Sequence, residues 1–318
     1  LLKGNAEFLL DYMVEDPNTG YMVTGPSISP ENSFLYQGNN LCASMMPTCD
    51  RVLAYEIFNA CIQSAQILNI DKEFSDSLQQ AIKKFPPIRL RANGGVREWL
   101  EDYDEAHPNH RHTSHLLALY PYEQITLDKT PELAAGARKT IEDRLAAEGW
   151  EDTEWSRANM ICFYARLKDT KQAYQSVLTL ESIFTRENLL SISPAGIAGA
   201  PYDIFILDGN TAGAAGIAEM LVQGHEGYIE FLPCLPEQWN VGTYKGLCVK
   251  GGAEVSAAWN QSLINEATLK ATADNTFTVK VPQGKNYTIT LNNKRINPVI
   301  NNGLITVSMK AKDILKFK

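Results

Sequence analysis

The spacing of apolar residues changes once along this chain, near residue 230, and that change limits the folds open to it. Before it, apolar residues recur at three- and four-residue intervals, as in Val52-Leu-Ala-Tyr-Glu-Ile-Phe-Asn-Ala-Cys-Ile-Gln-Ser-Ala-Gln-Ile-Leu68. That is the period of a helix with one buried face. Asp50 reads as its N-cap. Further helical runs are Leu1 to Leu10, Glu132 to Glu148, Arg157 to Leu167, Lys171 to Leu180 and Thr211 to Gln223. After the change the period is two, as in Ala253-Glu-Val-Ser-Ala-Ala-Trp259, Thr276 to Val281 and Tyr287 to Leu291, with turns at Pro282-Gln-Gly284 and Asn301-Asn-Gly303. The expectation is a mainly α protein with a β appendage: residues 1–230 helical, residues 231–318 an antiparallel β-sandwich. Leu232-Pro-Cys-Leu-Pro236 marks the boundary because it cannot continue a helix. Helices joined by alternating short and long connections suit an α/α toroid. The long ones are Pro17 to Pro30, Pro86 to Asn109 and Ile192 to Asp208, and connections of that length usually carry function.

Charge and composition remove several function classes. A net charge of -8 with no Lys/Arg cluster argues against a nucleic-acid surface. Gly, Pro or charge breaks every apolar stretch short of a membrane span. Leu1 to Leu10 reads as an amphipathic helix rather than a signal peptide, and a first residue other than Met reads as a piece of something longer. The six cysteines form no CxxC pair, so buried free thiols are favoured over a Cys-based zinc site.

Four constellations carry possible chemistry. Four of the five histidines lie in His107-Pro-Asn-His110-Arg-His112-Thr-Ser-His115. Imidazole both donates and accepts when neutral, so the run suits a metal, proton handling or a hydroxyl-rich ligand. No HExxH-type pattern or third-ligand motif follows, so sugar hydroxyls rank above a metal. The bland alternative is that one or two of them cap or pack. His112 and His115 are spaced to share a helix face. Glu31 follows Pro30 in a long loop, where a fixed backbone could hold it in a cleft, though taken alone it is a solvated glutamate. The stretch Arg97 to Glu105 reads as an acidic solvated face, with Trp99 as an alternative sugar platform. Asp208, in Leu207-Asp-Gly-Asn210, precedes a helix whose N-terminus favours an ionised carboxylate. The Gly/Ala run after it lacks the lysine of a nucleotide loop.

Taken in order, these motifs resemble the C-terminal half of family 95 glycoside hydrolases, the α-L-fucosidase type. The matching stretches are Tyr21-Met-Val-Thr-Gly-Pro-Ser-Ile-Ser-Pro-Glu-Asn32, Glu98-Trp-Leu-Glu-Asp102, His110-Arg-His-Thr-Ser-His-Leu116, Trp155-Ser-Arg-Ala158, Ala165-Arg-Leu167, Leu207-Asp-Gly-Asn210, Ala215-Gly-Ile-Ala-Glu-Met-Leu221, Leu232 to Pro236 and Lys245-Gly-Leu247. The resemblance implies a portion of an (α/α)6 barrel followed by a C-terminal β domain.

It also implies roles. Glu31 matches the general acid that protonates the glycosidic oxygen. Asp208 matches an aspartate that polarises an asparagine, which in turn activates the water of an inverting reaction. The asparagine pair belongs to a segment preceding residue 1. The two carboxyls are expected in one cleft at an inverting separation of roughly 6.5–9.5 Å, with Glu31 partly buried. His110, His112, His115, Trp99, Trp155, Arg157 and Asn210 are the expected substrate contacts, His112 less so than His110 and His115. The partner is an α-L-fucosylated or α-L-galactosylated glycan; no cofactor, metal, nucleic acid or membrane is expected, and the family's setting is periplasmic or extracellular. Two positions depart from the family's pattern. Asn159 stands where an aromatic follows Trp-Ser-Arg-Ala, and Thr211-Ala-Gly213 stands where Phe precedes a Gly pair. The alternative is a sugar-binding or inactive relative that lacks the water-activating asparagines.

Overall fold

The computed structural model describes the backbone of residues 1–318 and every side chain except that of Ala198. Contacts divide the chain into two units, Leu1–Asp152 and Thr153–Lys318. Helix gives way to strand later, after Leu221. Seven α-helices precede a β-rich C-terminal part.

The first unit holds α1 (Leu2–Tyr12), α2 (Thr48–Leu68), α3 (Lys72–Lys83) and α4 (Pro131–Ala146). Ala6, Met13, Phe58, Leu78 and Phe85 meet in the core of the first three. The sequence reading does not assign α3, although Phe74, Leu78, Ala81 and Ile82 recur at helical spacing and turn toward that core. Helix α2 starts earlier than expected. Pro47 occupies the N-cap, and Asp50 lies inside the first turn, accepting the Thr24 hydroxyl at 2.7 Å. A carboxylate there still meets the positive end of the helix.

A small antiparallel sheet sets the loop geometry. Strand β1 (Phe34–Tyr36) lies between β2 (Asn39–Leu41) and β3 (Asp104–Glu105). Pairing of Phe34 with Glu105 and Leu35 with Asp104 brings the segment just after Glu31 against the end of the 97–105 stretch. The histidine run does not form one helix. A single 3-10 turn covers Ser114–Ala118, so His112 lies before it, and the shared face expected of His112 and His115 does not exist.

The second unit begins with α5 (Glu154–Arg166), followed by α6 (Thr170–Ile183) and α7 (Leu207–Leu221). Thr153 caps α5 in a reciprocal box with Ser156, which starts the helix three residues before the expected Arg157. Helix α5 is enclosed on most sides, and α7 lies close against it. A methyl group at Gly216 would fall 2.6 Å from Ile161 Cγ2. The small-residue run of α7 is therefore a packing surface, which agrees with rejecting a nucleotide loop there.

Beyond α7, after a short antiparallel pair at Val222–Gln223 and Glu230–Phe231, come the strands β4 (Val241–Val249), β5 (Ala253–Asn260), β6 (Leu263–Ala271), β7 (Asn275–Lys280), β8 (Ile289–Leu291), β9 (Lys294–Arg295), β10 (Leu304–Met309) and β11 (Ile314–Phe317). Six form one sheet in the order β4-β5-β6-β11-β8-β9, while β7 pairs with β10. Alternate residues of β5, namely Ala253, Val255, Ala257 and Trp259, enter an apolar core shared with Phe277, Val279, Ile305 and Phe317. This is the burial that period-two spacing implies. All six cysteines are free thiols, four of them buried. No helix among the described residues is long and apolar enough to cross a membrane.

Candidate active site

The candidate residues fall into both units. In the first unit, Glu31 projects from the loop before β1 with 59% of its side chain exposed. Its burial is therefore only partial, with Arg111 and His112 against the carboxyl. Arg111 bonds that carboxylate directly through Nη2 and holds Glu151 at 2.9 Å through Nη1. His112 Nε2 lies 3.4 Å from the same Glu31 oxygen. The His112 backbone N–H donates to His110 Nδ1 at 3.0 Å, and the two rings sit 5.1 Å apart. Spacing in the motif accounts for this arrangement: the chain turns at His107–His110, whose N–H···O bond spans 3.1 Å, and 111 and 112 then face the loop of Glu31.

Behind this exposed layer lies a buried one. The Glu98 side chain is 2% exposed and that of His115 1%, with His115 Nδ1 3.7 Å from the carboxylate. Glu98 accepts from Ser29 Oγ at 2.7 Å and from Asn32 Nδ2 at 3.2 Å. Arg144, from α4, reaches Glu105 at 2.7 Å and Glu98 at 3.7 Å. Arg91 ties Asp102, Asp104 and Glu105 together at 3.1–3.4 Å. The 97–105 stretch is therefore a solvated acidic face only in part, at Glu101, Asp102 and Asp104. Glu98 and Glu105 turn inward because two arginines meet them. Trp99 also lies inside, its ring 5.3 Å from that of Phe34, and its indole N–H finds no acceptor among the described residues. It is not displayed as a platform.

Burial controls the protonation of this layer. Glu98 is pushed up to about 7 by desolvation and by the Glu105 carboxylate, against Arg144 and its two donors. His110 is held down to about 4 by burial, with the His112 ring and the Arg111 guanidinium adding to the effect. His112 is also lowered, by burial first, although Glu31 works the other way. His115 falls well below its ordinary value through burial and the nearby Arg144 and Arg91. For Glu151 burial works upward, and the hydrogen bonds and charge of Arg111 override it, so the net direction is down. His110, His112 and His115 are thus favoured as neutral donor-acceptors. Each faces a carboxylate or another ring, and among the described residues no three His, Cys, Asp or Glu side chains surround a common point.

In the second unit, Asp208 is exposed in the first turn of α7, one residue inside the helix rather than before it. Asn210 is committed to the chain itself. Its Oδ1 accepts from the Ser191 N–H and hydroxyl, both at 2.9 Å, and its Nδ2 donates to Leu189 O at 2.7 Å. Trp155 and Arg157 are half-buried in the first turns of α5. The starts of α5 and α7 touch: a methyl group at Gly209 would lie 2.6 Å from Glu154 Cγ. Glu154 is fully buried, and neither of its carboxyl oxygens meets a donor in hydrogen-bond geometry. Desolvation raises it, and the Asp208 charge adds to this against the Ser193 hydroxyl and first-turn N–H groups.

Sequence reasoning left Glu98, Glu105, Asn32, Arg111, Arg144 and Glu154 without roles. One signal was available: Arg144 continues the buried face of α4 marked by Ala134, Ala137 and Ile141, and a buried arginine requires a carboxylate partner.

Residues 1–221 match the glycosyl hydrolase family 95 catalytic domain, and residues 223–316 match the glycoside hydrolase family 95 C-terminal domain. The chain belongs to glycoside hydrolase family 95. Among curated relatives, "Alpha-L-fucosidase 2" of Arabidopsis thaliana is 32% identical over 271 residues, covering 84% of this chain and 32% of that protein. "Probable alpha-fucosidase A" of Aspergillus niger is 28% identical over 288 residues, covering 82% of this chain and 34% of that protein. The chain therefore spans about a third of the length of these relatives. A solved structure, "Putative kojibiose phosphorylase from human microbiome", superposes with a TM-score of 0.54 at 9% identity over 97% of this chain and 41% of its own length. That likeness is one of fold.

Proposed function

We propose that this chain carries the proton donor and the water-polarising aspartate of an inverting, metal-independent glycosidase. Its substrate is a terminal α-L-fucosyl or α-L-galactosyl residue of an oligo- or polysaccharide. The helices are read as part of an (α/α)6 barrel and the strands as a β-sandwich. The observation that carries the functional reading is the convergence of Arg111 and His112, from the histidine motif, on the Glu31 carboxylate. A general acid ends its step as a carboxylate, and a guanidinium and an imidazole beside it stabilise that product form.

Glu31 gives its proton to the glycosidic oxygen as the bond to the anomeric carbon breaks. Asp208 polarises an asparagine amide, and the water it orients attacks the opposite face of the sugar while its proton passes by way of that amide to the Asp208 carboxylate. His110, His112, Trp155 and Arg157 are assigned to sugar hydroxyls and the apolar ring face. His115, Trp99 and Asn210 support them from behind, in keeping with their enclosed or committed side chains. Asn159 and Thr211, standing where the family's pattern has aromatics, bear on the choice between L-fucose and L-galactose, which differ by one hydroxyl.

A second reading, sugar binding without cleavage, draws on one observation: the Glu31 side chain is 59% exposed, whereas proton donors work best shielded from water. Incubating a 2'-fucosylated oligosaccharide with the chain, alone and within any longer protein that carries it, separates the two. Release of free L-fucose supports hydrolysis. Saturable binding with no release in either form supports the second reading.

A further inference from the structure

Glu98 takes no part in the reaction proposed above, yet it is tied to the loop of the proton donor on both sides. Ser29 and Asn32 flank Glu31 in sequence, and both are buried, at 0% and 1% exposure. Each gives a hydrogen bond to Glu98, at 2.7 and 3.2 Å. The second amide proton of Asn32 goes to Glu105 at 3.1 Å, and its carbonyl takes the Ser33 N–H at 2.8 Å, so its amide is held from several sides. Pro30 O accepts the Ser114 hydroxyl at 2.6 Å. Pro30 and Glu31 are thus exposed between two buried residues that are fastened to the interior.

We propose that Glu98 is the positioning residue of Glu31: by holding Ser29 and Asn32 it fixes the direction in which the Glu31 carboxyl leaves the loop toward Arg111 and His112. The proposal rests on the reading of Glu31 as proton donor. Glu98 does not touch substrate in this scheme. Its own place is set by Arg144 and His115, with the Cys49 thiol of α2 also within its field. Arg144 is in turn oriented by the carbonyls of His107 and Pro108, at 3.1 and 3.2 Å. The same buried cluster therefore sets both the donor loop and the start of the histidine run.

The test compares Glu98→Ala and Glu98→Gln with the parent, in the longest form that turns over. Amide hydrogen exchange across residues 27–33 is measured together with kcat and KM on a 2'-fucosylated oligosaccharide and on an activated aryl α-L-fucoside. Glu98→Ala should speed exchange in 27–33 while leaving α5 to α7 unchanged. Its kcat on the oligosaccharide should fall on the order of 10- to 100-fold, as misplacing a reacting group by about 1 Å does, with KM little changed and the aryl substrate much less affected. Glu98→Gln keeps one acceptor for Ser29 and should lie between the two; it also serves as the readout if the alanine variant does not fold. Unchanged exchange at 27–33, or equal loss on both substrates, would overturn the proposal. Glu31→Gln, run alongside, isolates the reading beneath it: full oligosaccharide turnover by that variant removes the acid role, and the proposal with it, whatever the exchange shows.

Discussion

Each unit of this chain buries a glutamate that is followed by tryptophan, Glu98-Trp99 in the first and Glu154-Trp155 in the second, and the two could hardly be treated more differently. Glu98 is met by a hydroxyl, an amide and a guanidinium. Glu154 has the Ser193 hydroxyl and first-turn N–H groups near it, none in good hydrogen-bond geometry, and the nearby charge of Asp208 opposes its ionisation. A buried carboxyl is therefore not in itself a sign of a built site; its partners decide. Glu98 belongs to a network that loses several bonds if it is removed. Glu154 is a desolvated acid whose removal orphans little.

That contrast gives opposite expectations for the same substitution. Glu98→Leu should destabilise the protein by about 3–5 kcal/mol, because the buried Ser29 hydroxyl and one Asn32 amide proton would lose their acceptor and Arg144 would keep only one of its two carboxylates. The shift in denaturant midpoint measures it, and a loss well under 1 kcal/mol would break the comparison on its first side. Gly209→Ala should cost about 1–3 kcal/mol by the same assay, since the new methyl would press on Glu154 Cγ at 2.6 Å and Ser191 Cβ at 2.8 Å. Glu154→Leu should be neutral or stabilising by up to about 1–3 kcal/mol, because it trades a desolvated and poorly bonded carboxyl for an apolar group. Marked destabilisation by Glu154→Leu would show that the carboxyl has a partner after all.

A further effect is one of pH. A carboxyl raised on folding stabilises fully below its unfolded value of about 4.3 and loses that contribution as pH climbs through its folded value, which for Glu98 is about 7. His110, held down to about 4, has the opposite sign: its contribution is complete above about 6.5 and is lost as the pH falls toward the folded value. The two oppose each other in the parent protein. Glu98→Gln removes the first alone, so stability relative to the parent should rise between about pH 5 and pH 7. Parallel stability curves for the two proteins would contradict the assignment of Glu98.

The helices whose apolar faces meet the core were legible in the sequence, as were the alternating strands, because burial imposes a period. Helix α3 was equally periodic and was passed over in a polar stretch. The candidate site was legible only as motifs. His112 and Arg111 meet Glu31 because β3 pairs with β1 and because the 107–110 turn redirects the chain, and neither is a local property. Glu98 looked solvated among its acidic neighbours, since the arginines that draw it inward stand at 91 and 144. His115, favoured as a ligand contact, instead faces Glu98 from the interior.

The central claim, that Glu31 delivers a proton to the leaving group, is tested most directly by how Glu31→Gln responds to leaving-group acidity in a form that turns over fucosides. A poor leaving group needs the proton and an activated aryloxide does not. The account predicts that kcat/KM collapses on the 2'-fucosylated oligosaccharide while the aryl α-L-fucoside keeps most of its rate, whereas Asp208→Asn damages both. Equal rates on both substrates in Glu31→Gln and in the parent would contradict it.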